Sequence, residues 1–245
     1  MPRGLGKIKC EKLLLKSVTI KMKMIEIENL ISAYGRKKVL QGVTFSGERG
    51  ECIGIIGPNG CGKSTLLSSM AGVLRPLSGT ICYYGKDALK NRVVFQKMTG
   101  YVPQENPLMP ELSVYDNLRL WYPDKAELEK ELEQGFLQIL GIPEFVGKTV
   151  SKLSGGMKKR VSIGIALSGM PPVLILDEPS AALDLVCKED IKRYLQIYLE
   201  RKGTVVITTH EESELSLCNS LYVMKAGKLV QVDKSLRGSA LTAQF

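Results

Sequence analysis

Gly57-Pro58-Asn59-Gly60-Cys61-Gly62-Lys63-Ser64-Thr65 is the stretch from which the rest of the chain can be read. Gly57, Gly62, Lys63 and Ser64 stand at the spacing of a loop that wraps phosphate groups. Each residue type has a physical reason. The glycines let the backbone turn so that successive N–H groups point inward at phosphate oxygens, and a helix starting near Lys63 adds its positive end. Lys63 reaches the outer phosphates of a nucleotide, and Ser64 offers an oxygen to Mg2+. Gly57, Asn59, Gly60, Cys61, Gly62, Lys63, Ser64 and Thr65 are therefore the candidate nucleotide-binding residues here. Immediately upstream, Cys52 to Ile56 is a continuous apolar run stopped by Gly57-Pro58, as expected of a strand buried on both faces. Downstream, helical patterning runs from Lys63 to about Val73, which makes the unit strand, glycine loop, helix.

A second apolar run, Val173-Leu174-Ile175-Leu176, ends in Asp177-Glu178. Two carboxylates at the carboxyl end of a buried strand lie where a parallel sheet holds its ligands. Asp177 can order a Mg2+ shell. Glu178, pointing the other way, can accept a proton from an attacking water.

The remaining patterning places these motifs in an α/β domain. Met-Ile-Glu-Ile-Glu from Met24 alternates apolar and polar, and Val39 to Phe45 alternates more weakly, which predicts an antiparallel flank. Residues 105–171 read as an inserted α-helical lobe, with helices expected around 112–121, 125–140 and 155–167. After Pro171-Pro172 come a strand to Leu176, a helix over 186–199, a strand over 205–209, a short helix over 211–218 and a closing pair at 221–224 and 228–232. Strands alternating with helices imply a mainly parallel sheet.

Bulk properties narrow the function classes. The 245 residues can bury one sizeable core, and 44% hydrophobic with 24% charged is ordinary for a soluble globular chain. Of the net charge of +9, residues 1–23 carry +6, with seven basic side chains against Glu11. The 27 basic and 24 acidic residues that follow are too balanced to predict a nucleic-acid surface, and no nucleic-acid partner is expected. Six scattered cysteines lack the paired spacing of a zinc or redox motif, which fits reduced thiols in a cytosolic protein. No apolar run approaches the length of a membrane span. Lys16 interrupts the only apolar run near the N-terminus, which makes a poor signal peptide. That stretch reads either as a basic segment touching anionic lipid or, preferably, as an upstream extension with Met24 the natural start. The expected organisation is thus a disordered basic extension over 1–23, one domain over 24–235 containing the helical lobe, and a tail over 236–245.

Between the two nucleotide motifs lies Leu153-Ser154-Gly155-Gly156-Met157, which resembles the signature sequence of ABC (ATP-binding cassette) ATPases. The resemblance covers about residues 24–235 and implies a P-loop NTPase core binding ATP and Mg2+. Ser154, Gly155 and Gly156 open a helix and form an anion site. In that family the site faces the γ-phosphate of ATP held by another chain, so the resemblance implies a head-to-tail dimer, of identical or different cassettes, with two shared nucleotides. Further roles follow from it. Tyr34 resembles the aromatic that stacks on adenine, and Gln104 the glutamine that touches Mg2+ or the attacking water. Ser180 to Asp184 is similar to the loop that crosses the dimer interface, with Asp184 structuring the opposite site. His210, the single histidine, resembles the switch residue that binds γ-phosphate and orients Glu178. Met157 departs from the glutamine commonly found there, but the hydroxyl and N–H donors remain. Cys61 raises the expectation of a site sensitive to thiol reagents.

Because ABC ATPases also serve outside transport, the biological role needs its own argument. A single set of motifs and a modest lobe disfavour the translation and chromosome types. The preferred expectation is a transport motor, cytoplasmic and peripheral on the inner face of the cell membrane, working with separate membrane-spanning subunits. The alternative is the soluble ATPase of iron–sulfur cluster assembly. Leu108 to Tyr122 reads equally as a docking stretch for a membrane partner and as the lobe's own core. The 35 residues after His210 are expected to be too few for the regulatory domain of sugar importers, and Met157-Lys-Lys-Arg-Val-Ser-Ile163 resembles exporter motors, so export is favoured.

Overall fold

The computed structural model describes residues 23–122 and 124–236. The expected basic extension, apart from Lys23, and the tail beyond Leu236 lie outside the described residues. Strand β1 (Lys23–Tyr34) pairs antiparallel with β2 (Lys37–Glu48). The alternation seen in the sequence buries Ile25 and Ile27, then Asn29 adopts φ 48° and donates its N–H to Thr44 Oγ1 at 2.9 Å. This bulge shifts the register so that Leu30 rather than residue 29 turns inward. Strands β4 (Ser78–Tyr83) and β5 (Lys86–Asp87) complete a four-stranded antiparallel flank of order β2-β1-β4-β5.

The main sheet has order β10-β9-β3-β8-β7-β6, from β3 (Cys52–Ile56), β6 (Thr99–Val102), β7 (Val173–Asp177), β8 (Thr204–Thr208), β9 (Ser220–Lys225) and β10 (Lys228–Val232). All its pairings are parallel except β10 with β9. Along β7 the continuous apolar run divides with the strand's period of two. Val173 and Ile175 join the core shared with the flank and helix α1 (Lys63–Met70), whereas Leu174 and Leu176 face the core shared with the lobe. This confirms a P-loop NTPase arrangement with an antiparallel flank and an inserted helical lobe.

Helix α1 ends earlier than its periodicity predicts. Gly72 takes φ 72°, its N–H bonds Ser69 O at 3.1 Å and that of Val73 bonds Ser68 O at 2.9 Å, a Schellman termination that satisfies the last carbonyls. A short helix α2 (Val93–Met98) precedes β6. The lobe contains α3 (Val114–Arg119), α4 (Lys125–Gln134), α5 (Phe136–Ile139), two 3-10 turns (Ile142–Phe145, Val150–Lys152) and α6 (Gly155–Ala166). The single helix expected over 125–140 is broken at Gly135, whose backbone is extended. The Glu131 carboxylate lies where a Cβ at 135 would sit and accepts the N–H of Phe136 at 2.8 Å, so it caps the new helix. Phe136 thereby reaches Tyr198 of α7 (Leu185–Glu200), with ring centroids 6.1 Å apart.

Strand β6 was not anticipated, because Gly100 breaks its apolar pattern. A Cβ there would stand 2.0 Å from the carbonyl oxygen of Ala166, at the end of α6, so the glycine is what lets the lobe's last helix close against the sheet. Gly100→Ala is therefore expected to cost about 2–4 kcal/mol. Urea unfolding with an unchanged midpoint would show that α6 moves aside freely.

Candidate nucleotide site

The glycine loop joins β3 to α1. Gly57 has φ 154° and a Cβ would lie 2.2 Å from Met224 O, while Gly62 precedes α1 with φ 117°. No side chain caps α1 and its first turn has no acidic residue, so its leading N–H groups present a positive end. Lys63 is buried. Its Nζ donates to Gly57 O at 2.8 Å and to Pro58 O at 3.5 Å, and stands 3.6 Å from Glu178 Oε1.

A cavity of about 440 Å³ opens over this loop, lined by Tyr34, Val39, Asn59, Gly60, Gly62, Lys63, Ser64, Thr65, Gln104 and Glu178. Chain segments far apart in sequence thus bring an exposed aromatic, the loop, the glutamine and the carboxylate to one place. Gln104 Nε2 donates to Glu178 Oε2 at 3.1 Å. His210 Nε2 is 3.9 Å from Glu178 Oε1. Asp177 is buried behind the strand end and accepts a hydrogen bond from Thr208 Oγ1 at 2.7 Å. Glu178 sits at φ 45°, an uncommon conformation for this residue type, held by its N–H to Thr208 O and Oγ1, both at 3.0 Å.

The other sequence candidates fall outside the cavity. Ser154 caps α6, its Oγ accepting Met157 N–H at 3.2 Å. Gly155 and Gly156 pack against Leu183 and Cys187, where Cβ atoms would lie 3.4 Å and 2.2 Å away. Asp184 caps α7 by accepting Cys187 N–H at 2.8 Å. That backbone hydrogen bond, with a second from the Cys187 thiol, holds its carboxyl below the usual range. The signature motif and the loop ending at Asp184 therefore form one unit, separate from the cavity of the same chain. Cys61 corrects an expectation: its side chain is buried in the core, so only its backbone belongs to the loop and ready attack by thiol reagents is not foreseen.

Two residues of the site escaped sequence reading. Thr208 looked like ordinary strand sequence, although it fixes both Asp177 and Glu178. Lys159, two residues after Met157, is buried and donates to Pro103 O at 3.2 Å and Gln104 O at 3.0 Å, tying α6 to the loop that carries Gln104. Burial lowers the pKa of its ammonium. In the sequence Lys159 stands only within the run Met157 to Ile163, likened to exporter motors, and nothing there marks it as buried.

The Ser64 hydroxyl, Gln104 amide and Asp177 carboxylate are hard oxygen donors, the chemistry that suits Mg2+. Among the described residues no group of three or more His, Cys, Asp or Glu could hold a metal ion, so phosphate oxygens and water would complete its shell.

Comparison with known proteins identifies the family. Residues 40–181 match the family described as ABC transporter. A spermidine/putrescine import ATP-binding protein of Spiroplasma citri is 36% identical over 215 residues, covering 85% of this chain and 61% of its own length. A Nod factor export ATP-binding protein I of Burkholderia orbicola is 35% identical over 211 residues, covering 84% and 69%. The chain thus spans somewhat under two thirds of the first relative and slightly more of the second. A solved dimeric ATP-binding cassette in a post-hydrolysis state, bound to ADP and Pi, superposes with a TM-score of 0.76 at 26% identity, covering 88% of this chain and 100% of that one.

Proposed function

Given that this chain belongs to the ABC transporter family as one of its ATP-binding subunits, we propose that it binds and hydrolyses ATP with Mg2+ as the motor of a transporter whose membrane-spanning subunits are separate chains. The observation that carries this reading is the convergence of Lys63, Gln104 and Glu178 on one cavity, with the signature motif held apart on the same chain. Loop N–H groups and Lys63 bind the phosphates, and Tyr34 stacks on the base. Mg2+ neutralises phosphate charge when bound. Ser64, Gln104 and Asp177 would hold it. Glu178 accepts the proton of the attacking water, and His210 holds that carboxylate and meets the γ-phosphate.

The separation of Ser154, Gly155 and Gly156 from the cavity is what a head-to-tail pair requires. Each chain supplies the loop of one site and the signature of the other, and Asp184 bridges them. Closure on ATP drives the membrane subunits. Export is our assignment of direction, resting on the likeness of Met157 to Ile163 to exporter motors, and the chain acts on the cytoplasmic face of the membrane.

Among the described residues no helix is long and apolar enough to cross a membrane, so any spanning part would come from elsewhere. Tagging the chain in its native cell and identifying what co-purifies with it tests the role. Recovery from membranes with a multi-span protein is expected, and recovery with a soluble iron–sulfur scaffold instead would overturn it.

A further inference from the structure

Glu214 lies on helix α8 (Glu212–Leu215), is 1% exposed, and has no part in the mechanism above. A carboxylate so deeply buried needs partners for both oxygens. Ser180 Oγ donates to Glu214 Oε1 at 2.5 Å, and Thr209 Oγ1 donates to Glu214 Oε2. Both hydroxyls are themselves buried. Burial raises the pKa of the carboxyl, and the two hydrogen bonds oppose that rise.

The two partners belong to different parts of the site. Ser180 is two residues beyond Glu178 and opens the turn that leads through Ala182, at φ 59°, to Asp184. Thr209 immediately precedes His210, and its Oγ1 also accepts the N–H of Glu211 at 2.9 Å. On the strand side, Thr208 already ties Asp177 and Glu178 to the end of β8. Glu214 is a second tie on the far side of the same two segments. Together they set the 3.9 Å approach of His210 to Glu178 and the start of the loop to Asp184.

We propose that Glu214 is a positioning residue for ATP turnover, clamping the Ser180 segment to Thr209 so that the base Glu178, His210 and the interface loop to Asp184 hold one arrangement. This rests on the functional reading above. Because Glu214 touches neither the cavity nor the glycine loop, its loss should leave ATP binding intact while lowering turnover.

The test is steady-state ATP hydrolysis together with equilibrium ATP binding for Glu214→Ala, Glu214→Gln, Ser180→Ala and Thr209→Val in the full chain, beside the unaltered protein. Removing an acceptor shared by two buried hydroxyls should lower kcat by about 10- to 100-fold, with ATP affinity within about twofold. Glu214→Gln, which keeps one acceptor oxygen, should recover part of the loss. Each hydroxyl variant should show a smaller loss, and its effect should largely vanish in the Glu214→Ala background.

Unchanged kcat in all four variants overturns the proposal, as does a loss of ATP affinity that equals the loss of kcat. If Glu214→Ala does not fold, Ser180→Ala and Thr209→Val decide, and wild-type turnover in both overturns it. Failure of the unaltered chain to hydrolyse ATP, alone or with its membrane partners, would instead strike the functional reading itself.

Discussion

Glu178→Gln is expected to lower ATP turnover by on the order of 10²-fold or more while ATP still binds, and ATP with Mg2+ should then hold two chains together. The expectation comes from the side chain's surroundings. Glu178 faces Lys63 at 3.6 Å, Gln104 at 3.1 Å and His210 at 3.9 Å. A glutamine of the same shape can still accept from Gln104 but takes up no proton. It also removes a negative charge beside the phosphates, so ATP affinity should hold or rise. Since the signature motif lies outside the cavity of its own chain, unhydrolysed ATP should persist only where a second chain covers it. Light scattering that finds monomer alone with ATP and Mg2+ would count against the shared-site arrangement. Undiminished turnover would remove Glu178 from the role of base.

The parts of this site that were readable in the sequence are those whose chemistry is local. A phosphate loop must be contiguous, because consecutive N–H groups make it, and Gly57 to Thr65 is therefore complete as a motif. The carboxylates at the end of β7, Asp177 and Glu178, were visible for the same reason. What could not be read depends on partners distant in sequence. Thr208 acquires its role only when β8 is placed beside β7, and Glu214 only when Ser180 folds beneath it. Lys159 is an unremarkable helical lysine until the Gln104 loop turns two carbonyls toward it. The fold shows the same division. Strands buried on both faces announced themselves as apolar runs, whereas β6 was hidden by Gly100, a residue chosen for close approach to Ala166 and not for strand propensity. The break at Gly135 depended on a carboxylate four residues away, which helical periodicity alone does not register.

Lys63→Ala is expected to fail at the earlier step, binding ATP on the order of 10²- to 10³-fold more weakly, because the buried cation we assign to charge-assisted contacts with the phosphates is removed. Its present partners support that assignment. The ammonium is held by the carbonyls of Gly57 and Pro58, at 2.8 Å and 3.5 Å, inside the glycine loop. Lys63→Arg should not rescue binding. The guanidinium is a broad planar fork, and the space at this position is closed around a side chain only 6% exposed. Titration with a fluorescent ATP analogue distinguishes the outcomes. Wild-type affinity in Lys63→Ala would mean that the backbone donors alone hold the nucleotide. The two facing charges at 3.6 Å can then be separated by their signatures: losing the cation should abolish the ATP-dependent dimer, and losing the carboxylate should trap it. In the double variant, Lys63→Ala with Glu178→Gln, the binding defect should prevail and no dimer should form, because a complex that does not assemble cannot be trapped by slow hydrolysis.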